Sequence, residues 1–325
     1  MAKRLLEVEN LKTYFRSQGQ VFRAIDDVSL HVDENETLGI VGESGSGKST
    51  LGLSILRLVP AARNPFIAGR ILFDGRDLLT MSEGEMRAVR GSEISMILQD
   101  PMTSLNPVFT LGAQIEEAIL SHKKAGAQNA RAAAIEALRQ VRIAAPETRV
   151  DSYPHQISGG MRQRVVGAIA MASQPRLLIA DEPTTSLDVT LQAQYLQLLK
   201  DLRAAHGMSL ILITHDFGVV ARMCDRVAVM YAGSIVETAP VREIFHRPRH
   251  WYTAALLASM PKLDHPRGHL PTIEGAPPRL NDLPSGCKFA PRCAQAQSTC
   301  FTQMPERQSI SPVHDIKCWY PREAT

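Results

Sequence analysis

No stretch of this 325-residue chain comes near the roughly 18 to 20 consecutive apolar residues that cross a bilayer, so any membrane contact is expected to run through a partner. The start, Met1-Ala2-Lys3-Arg4-Leu5-Leu6-Glu7, turns acidic too early for a secretory signal, and a soluble, cytosolic product is expected. Net charge is also small. A formal +3 makes no case for a nucleic-acid surface or an acidic partner. Internal repeats are absent. Cysteine is scarce, with five in all, and unevenly spread: Cys224 stands alone, while Cys287, Cys293, Cys300 and Cys318 crowd the last 39 residues. A disulfide framework therefore does not underlie the fold. What is present is ordinary for a globular core: 44% hydrophobic residues, and length for one large domain or two smaller ones.

Alternating apolar positions open the chain (Leu5, Val8, Leu11, then Ile25, Val28, Leu30, Val32), the pattern of a partly exposed antiparallel sheet. Thr37-Leu38-Gly39-Ile40-Val41 differs, being continuously apolar and followed at once by glycines. It predicts a buried parallel strand feeding a loop, with a helix over 49–58. Further buried strands are predicted at 94–98, 177–180 and 210–213, giving an α/β core with a mainly parallel sheet. Residues 100–164 interrupt this rhythm with two proline-marked loops and an alanine-rich helical stretch around 130–141, as an inserted helical subdomain would. Beyond about residue 236 the texture changes. Seven prolines between Pro261 and Pro291 exclude long helices and central strands, so this region reads as an extended appendix.

The chemistry begins at Gly42-Glu43-Ser44-Gly45-Ser46-Gly47-Lys48-Ser49, a GxxxxGK[ST] phosphate loop placed between a strand and a helix. Glycines let the backbone turn its N–H groups toward phosphate, the helix offers its positive end, Lys48 reaches the terminal phosphates and Ser49 ligates magnesium. At Asp181-Glu182 two acids follow four apolar residues, which places them at the carboxyl edge of a buried strand, where open α/β sheets bind ligands. An isolated acid pair is more often a helix N-terminus, but the apolar run and Pro183 oppose that here.

The element Ser158-Gly159-Gly160-Met161-Arg162-Gln163-Arg164 resembles the signature of ATP-binding cassette (ABC) ATPases. That resemblance covers roughly the first 240 residues and implies a P-loop NTPase of RecA-like type, with an N-terminal antiparallel sheet, a helical subdomain inserted at about 100–164 and a small cysteine-bearing extension over 241–325. It implies that Asp181 holds magnesium, that Glu182 polarises the attacking water and that Thr50 extends the Ser49 contact. Gln99 is similar to the Q-loop glutamine that senses γ-phosphate and magnesium. Ser186-Leu187-Asp188 is similar to the D-loop, and His215 to the switch histidine. Adenine stacking falls to Tyr14 or Phe15, with Phe15 favoured by its offset from Asn10-Leu11 in the family pattern. Ser158, Gly159 and Gly160 would grip an ATP held by another cassette, so the chain is expected to work as half of a head-to-tail pair.

Met161 in the signature and Asp100-Pro101-Met102-Thr103-Ser104-Leu105-Asn106-Pro107 after Gln99 are similar to the ATPases of dipeptide and oligopeptide importers. The tail agrees, with Pro278-Arg279-Leu280 and Leu283-Pro284 leading into Cys287-x5-Cys293-x6-Cys300-x17-Cys318. Four thiols so close in a reducing compartment point to a metal rather than disulfides. Their spacing matches neither a zinc ribbon nor a bacterial ferredoxin, so the residues alone define only a four-thiolate site. The resemblance implies a [4Fe-4S] cluster, with zinc as the alternative and free cysteines as the bland reading. Cys224 is expected to be a packing residue, and the histidines other than His215, including the i, i+4 pairs His246/His250 and His265/His269, ordinary surface or structural groups.

The expected protein is the ATP-hydrolysing subunit of a bacterial peptide-type ABC importer, peripheral on the cytoplasmic face of the cell membrane. Its expected partners are a homologous second ATPase or its own copy, two transmembrane permease subunits and an extracytoplasmic substrate-binding protein, with no nucleic acid. Import of nickel or another small solute by the same architecture shares these motifs. A soluble ABC ATPase acting on nucleic acid or ribosomes is the other class; the single cassette, the small charge and the tail oppose it.

Overall fold

The computed structural model describes residues 3–17, 19–60, 65–99, 104–122, 127–260 and 272–323. Its strands are β1 (Arg4–Ser17), β2 (Gln20–Asp33), β3 (Thr37–Val41), β4 (Phe66–Phe73), β5 (Arg76–Asp77), β6 (Ile94–Ile97), β7 (Leu177–Asp181), β8 (Ser209–Ile213), β9 (Arg226–Tyr231), β10 (Ser234–Pro240), β11 (Gln308–Ser311) and β12 (His314–Ile316). The chain forms two compact units. One takes in Val32–Thr37 and Thr80–Ile213; the other takes in Leu5–His31, Leu38–Leu79 and Thr214–Thr325.

The second of these contains the N-terminal antiparallel sheet, in the order β2-β1-β4-β5. Leu5, Leu6, Val8, Leu11, Ile25, Val28 and Leu30 are among its buried residues; the alternation of the pleat holds in part, with a register shift between Glu9 and Lys12 where β1 bulges against β4. In the same unit β3 pairs in parallel with β9, and β9 turns through Ala232 and Gly233 into antiparallel β10. β3 is buried at all five positions, as a strand covered on both faces requires.

The tail is bound into this unit. β12 pairs antiparallel with β10, β11 pairs with β12, and the Phe289 ring lies 5.4 Å from the rings of both Tyr231 and Tyr252. Glu237 of β10, 1% exposed, accepts hydrogen bonds from His314 Nε2 at 2.7 Å and from the backbone N–H groups of Arg249 and His250. The described part of the tail is thus held by strand pairing, aromatic packing and a buried carboxylate.

The other unit holds β6, β7 and β8, joined in parallel with Ile94 opposite Leu177 and Leu177 opposite Ser209. β7 and β8 are buried throughout, and β7 runs one residue further than its apolar pattern, ending on Asp181. Helices Leu111–Ser121, Ala127–Gln140 and Gly159–Met171 pack on one another. Thr110 and Ser158 cap two of them, accepting from the N–H groups of Ala113 and Met161. The predicted helix over 49–58 is shorter, Lys48–Ile55, because Arg57 takes a left-handed φ of 52° just past its end. Among the described residues, no helix is long and apolar enough to cross a membrane.

Candidate functional site

In the phosphate loop that follows β3, two glycines are obligatory. Gly42 and Gly47 have φ of 153° and 104°, and a Cβ on either would run into a backbone carbonyl, that of Met230 or Ala24 respectively. Lys48 is 6% exposed, and its ammonium donates to the carbonyls of Gly42 at 2.9 Å and Glu43 at 3.0 Å, closing the loop around its own base. Ser46 Oγ is buried without a hydrogen-bond partner. Helix Lys48–Ile55 starts with no side-chain cap, which leaves its first N–H groups to the loop. An orphaned hydroxyl, a central ammonium and uncapped helix donors in one concave loop make an anion site, and the set fits a polyphosphate. Ser49 and Thr50 follow on the first turn, both half-buried.

His215 belongs to the same unit and is exposed. It sits just ahead of helix Phe217–Met223, which Asp216 caps by accepting from the N–H groups of Gly218 and Val219. Tyr14 and Phe15 are successive residues of β1 and so face opposite sides of the sheet. Phe15 is only 9% exposed, whereas Tyr14 is the half-buried ring, 5.9 Å from Phe66, with Arg23 over its face. Its hydroxyl donates to Asp26 at 2.6 Å.

The acid pair, the Q-loop glutamine, the signature and the D-loop lie in the other unit. Asp181 ends β7 at 3% exposure, a carboxylate at a strand end of the kind that holds a hard cation through oxygen. Glu182 then takes a left-handed φ of 45°, uncommon for a residue with a Cβ, and its N–H donates to Ile213 at 2.9 Å. That turn aims its side chain out of the strand: Oε2 accepts from Gln99 Nε2 at 3.1 Å and from Thr185 Oγ1 at 2.9 Å. Gln99 and Glu182, 83 residues apart, are thereby brought together; Thr185 was not singled out by any sequence pattern. Ser158 is the N-cap of helix Gly159–Met171, and Asp188 caps helix Val189–His206 by accepting from Leu191 N–H at 2.9 Å. Gly159 is open on all sides, while a Cβ on Gly160 would come within 3.2 Å of Leu191. Of the importer-like stretch after Gln99, residues 100–103 lie outside the described residues, as do His265 and His269.

The four tail cysteines converge. Cys287, Cys293, Cys300 and Cys318, all unpaired as disulfides, line one cavity of about 20 Å³ with Trp251, Phe289 and Trp319 among its other walls. Burial and the neighbouring thiols raise Cys287 and Cys293, and the same causes push Cys318 up to about 12. Cys287, Cys293 and Cys318 therefore stay protonated as bare thiols and need a cation to hold them as thiolates. Among the described residues no three His, Cys, Asp or Glu side chains are grouped as around a single metal ion. Four thiols are also the donor set of a structural zinc site, whose sulfurs lie about 2.3 Å from one ion. The donor chemistry fits an iron–sulfur group, whose thiolates ligate separate irons. His250 also lines this cavity, 1% exposed, and burial lowers its imidazole to about 4. Its spacing from His246 gave only the reading of an ordinary surface or structural group, because the burial that places it here is not local.

Two further groups escaped the sequence. Lys288, between the first two cysteines, is buried against Asp26 at 2.9 Å and also donates to Ala232 O and Ser234 Oγ. Burial alone would raise the Asp26 carboxyl, but Lys288, Tyr14 and Arg23 together outweigh it and hold that group low. Arg292 pairs with Glu43 of the phosphate loop. Cys224, by contrast, is the packing residue expected, its sulfur 2.9 Å from where a Cβ on Gly39 would lie.

The ABC transporter family model matches residues 25–185, and the model for the C-terminal region of oligopeptide/dipeptide transporters matches 236–300. The oligopeptide transport ATP-binding protein OppD of Bacillus subtilis strain 168 is 53% identical over 97% of this chain and 88% of its own length. The dipeptide transport ATP-binding protein DppD of the same organism is 47% identical over 98% of this chain and 95% of its own. Among solved structures, the dimeric post-hydrolysis form of the ATP-binding cassette MJ0796, bound to ADP and Pi, is 28% identical. It aligns with a TM-score of 0.64 over 73% of this chain and 99% of that one. With its glycine loop, acid-ended strand and serine-capped signature helix accounted for by one known class, the chain is an ABC transporter ATPase. Within that class it belongs to the family of ATP-binding subunits of oligopeptide and dipeptide ABC transporters.

Proposed function

We propose that this subunit hydrolyses ATP to drive peptide uptake from the cytoplasmic face of a bacterial cell membrane, beneath two transmembrane permease subunits fed by an extracytoplasmic substrate-binding protein. The observation that carries this reading is that a cassette and an oligopeptide/dipeptide tail occur in one chain. Nickel import and work on nucleic acid or ribosomes draw no comparable support. Co-expression with the permeases and affinity purification tests it: recovery with two permeases is expected, and recovery with ribosomes or DNA instead would overturn it. A deletion strain should lose growth on oligopeptides or dipeptides while nickel uptake is unchanged.

In this reading the phosphate loop, Gly42 with Ser44 to Thr50, takes the ATP phosphates and Tyr14 or Phe15 stacks on adenine. Ser49, Gln99 and Asp181 would hold magnesium, which when bound neutralises charge on the phosphate oxygens. Glu182 orients and polarises water, and His215 contacts the γ-phosphate. Ser158, Gly159, Gly160 and Asp188 serve the ATP of a facing cassette, either a homologous ATPase or a second copy. The uncapped N–H groups ahead of Ser49 and the outward turn at Glu182 support these roles.

The cysteine pocket is proposed to hold a [4Fe-4S] cluster through Cys287, Cys293, Cys300 and Cys318, a group that supplies cationic iron to otherwise mutually repelling thiolates. What supports this is the convergence of four thiols in one pocket, with burial raising Cys287, Cys293 and Cys318. Protein purified without oxygen should be brown, with about four irons and four sulfides per chain by chemical assay. A colourless, iron-free preparation would sink the cluster.

A further inference from the structure

The phosphate loop carries a single acidic side chain, Glu43, inside the run that receives a polyanion. A carboxylate there opposes the ligand unless its charge is cancelled. Arg292, from the turn Ala290–Arg292 just before Cys293, does this from 249 residues away. Its side chain is 4% exposed, and it meets Glu43 as a two-pronged pair, Nη1 to Oε2 at 2.7 Å and Nη2 to Oε1 at 3.0 Å. The other donors of the guanidinium are also engaged. Nη1 reaches Tyr231 Oη at 3.2 Å, Nε reaches Glu274 O at 3.0 Å and Nη2 reaches Ile273 O at 3.3 Å. The backbone of the same loop residue is fixed as well: Glu43 N–H donates to Tyr252 Oη at 2.9 Å, and its carbonyl accepts from Lys48. Tyr231 and Tyr252 pack on one another at 4.6 Å, so the clamp rests on a rigid aromatic base.

We propose that Arg292 is a positioning residue for ATP: by pairing with Glu43 it cancels the only negative side chain in the phosphate loop, so that the loop receives a polyanion without repulsion from its own carboxylate. The cysteine-bearing tail is then part of the nucleotide site's construction. Removing one partner of such a pair leaves an uncompensated charge, here on the loop that receives the phosphates. This rests on the phosphate loop being where ATP binds.

The test measures ATP affinity of the full-length chain by equilibrium titration, with steady-state hydrolysis in the assembled transporter. Arg292→Ala should raise both Kd and KM about tenfold while kcat changes less than about twofold, since the loss lies in binding rather than in the reaction. Arg292→Lys, keeping charge without the fork, should fall between the two. Glu43→Gln should bind at least as tightly as the parent, and Arg292→Ala with Glu43→Gln should recover to within about twofold, because the repelling charge is gone. A merely structural contact predicts the reverse, a double variant as weak as Arg292→Ala. Unchanged affinity in Arg292→Ala, or failure of Glu43→Gln to restore it, overturns the proposal. Lys48→Ala separates the two levels. If that variant binds ATP like the parent, the reading of the loop falls and the inference with it; if it binds poorly while Arg292→Ala binds normally, the inference alone falls. Should Arg292→Ala fail to fold, weakened binding by Glu43→Gln would still refute it.

Discussion

Replacing Glu182 with Gln abolishes nearly all ATP turnover, by roughly 100-fold or more, the scale on which a positioned general base acts, while ATP binding persists. The substitution keeps the shape of the side chain and an oxygen that can accept from Thr185 and Gln99, as Oε2 does at 2.9 and 3.1 Å. Only the negative charge that polarises water is lost. With ATP and magnesium present and no hydrolysis to release the bridge, paired cassettes accumulate in the closed form. Two measurements check this: phosphate release under saturating ATP, and elution of an ATP-dependent cassette pair on size exclusion. Turnover near the parent rate would show that Glu182 is not the polarising carboxylate. The left-handed backbone at 182 is kept in this variant, so a collapse of folding is not expected.

Lys48→Ala acts one step earlier. The ammonium is the central cation of the loop and is 6% exposed, held to the Gly42 and Glu43 carbonyls. Its removal takes away charge-assisted contacts to the terminal phosphates and also the tie that closes the empty loop. Contacts of this kind contribute about 1.5 to 3 kcal/mol, so ATP affinity should fall roughly 10- to 100-fold. Titration calorimetry at low salt measures the loss directly. Thermal unfolding without nucleotide separates lost binding from lost structure, because the Lys48 side chain serves a loop and not the core. Unaltered ATP affinity would contradict the role.

The two variants fail differently because the chemistry is divided along the chain. In the proposed roles Lys48 supplies ground-state grip, so its loss should appear in Kd; Glu182 acts on the water, so its loss should appear in turnover with Kd preserved. Arg292 is expected to fall on the Lys48 side of that division.

Much of this was legible because it is local. A strand buried on both faces reads as a continuous apolar run, which is why Thr37–Val41 and the run ending at Asp181 stand out. A glycine at φ 153° or 104° is required by the atoms next to it, so the phosphate loop announces itself. Ser158 and Asp188, singled out by the signature and D-loop resemblance, are shown by the structure to be helix caps, each accepting from an N–H three residues on. The helical stretch around Ala130 was visible from propensity, though its ends were not, since helix ends depend on caps and packing. Phe15 and Tyr14 show the limit of such reading: both rings fit the pattern, and only burial distinguishes them.

The sequence by itself determined the class of protein, the nucleotide loop, the acid pair, the signature and the presence of four grouped cysteines, because each is written in neighbouring residues whose backbone geometry or chemistry demands them. Tertiary structure alone decided that Gln99 meets Glu182, that the cysteines share one aromatic pocket, that Lys288 is buried on Asp26 and that Arg292 clamps Glu43. Partners 83 to 262 residues apart are chosen by the path of the chain and by which charges burial forces together, and no local spacing records that choice.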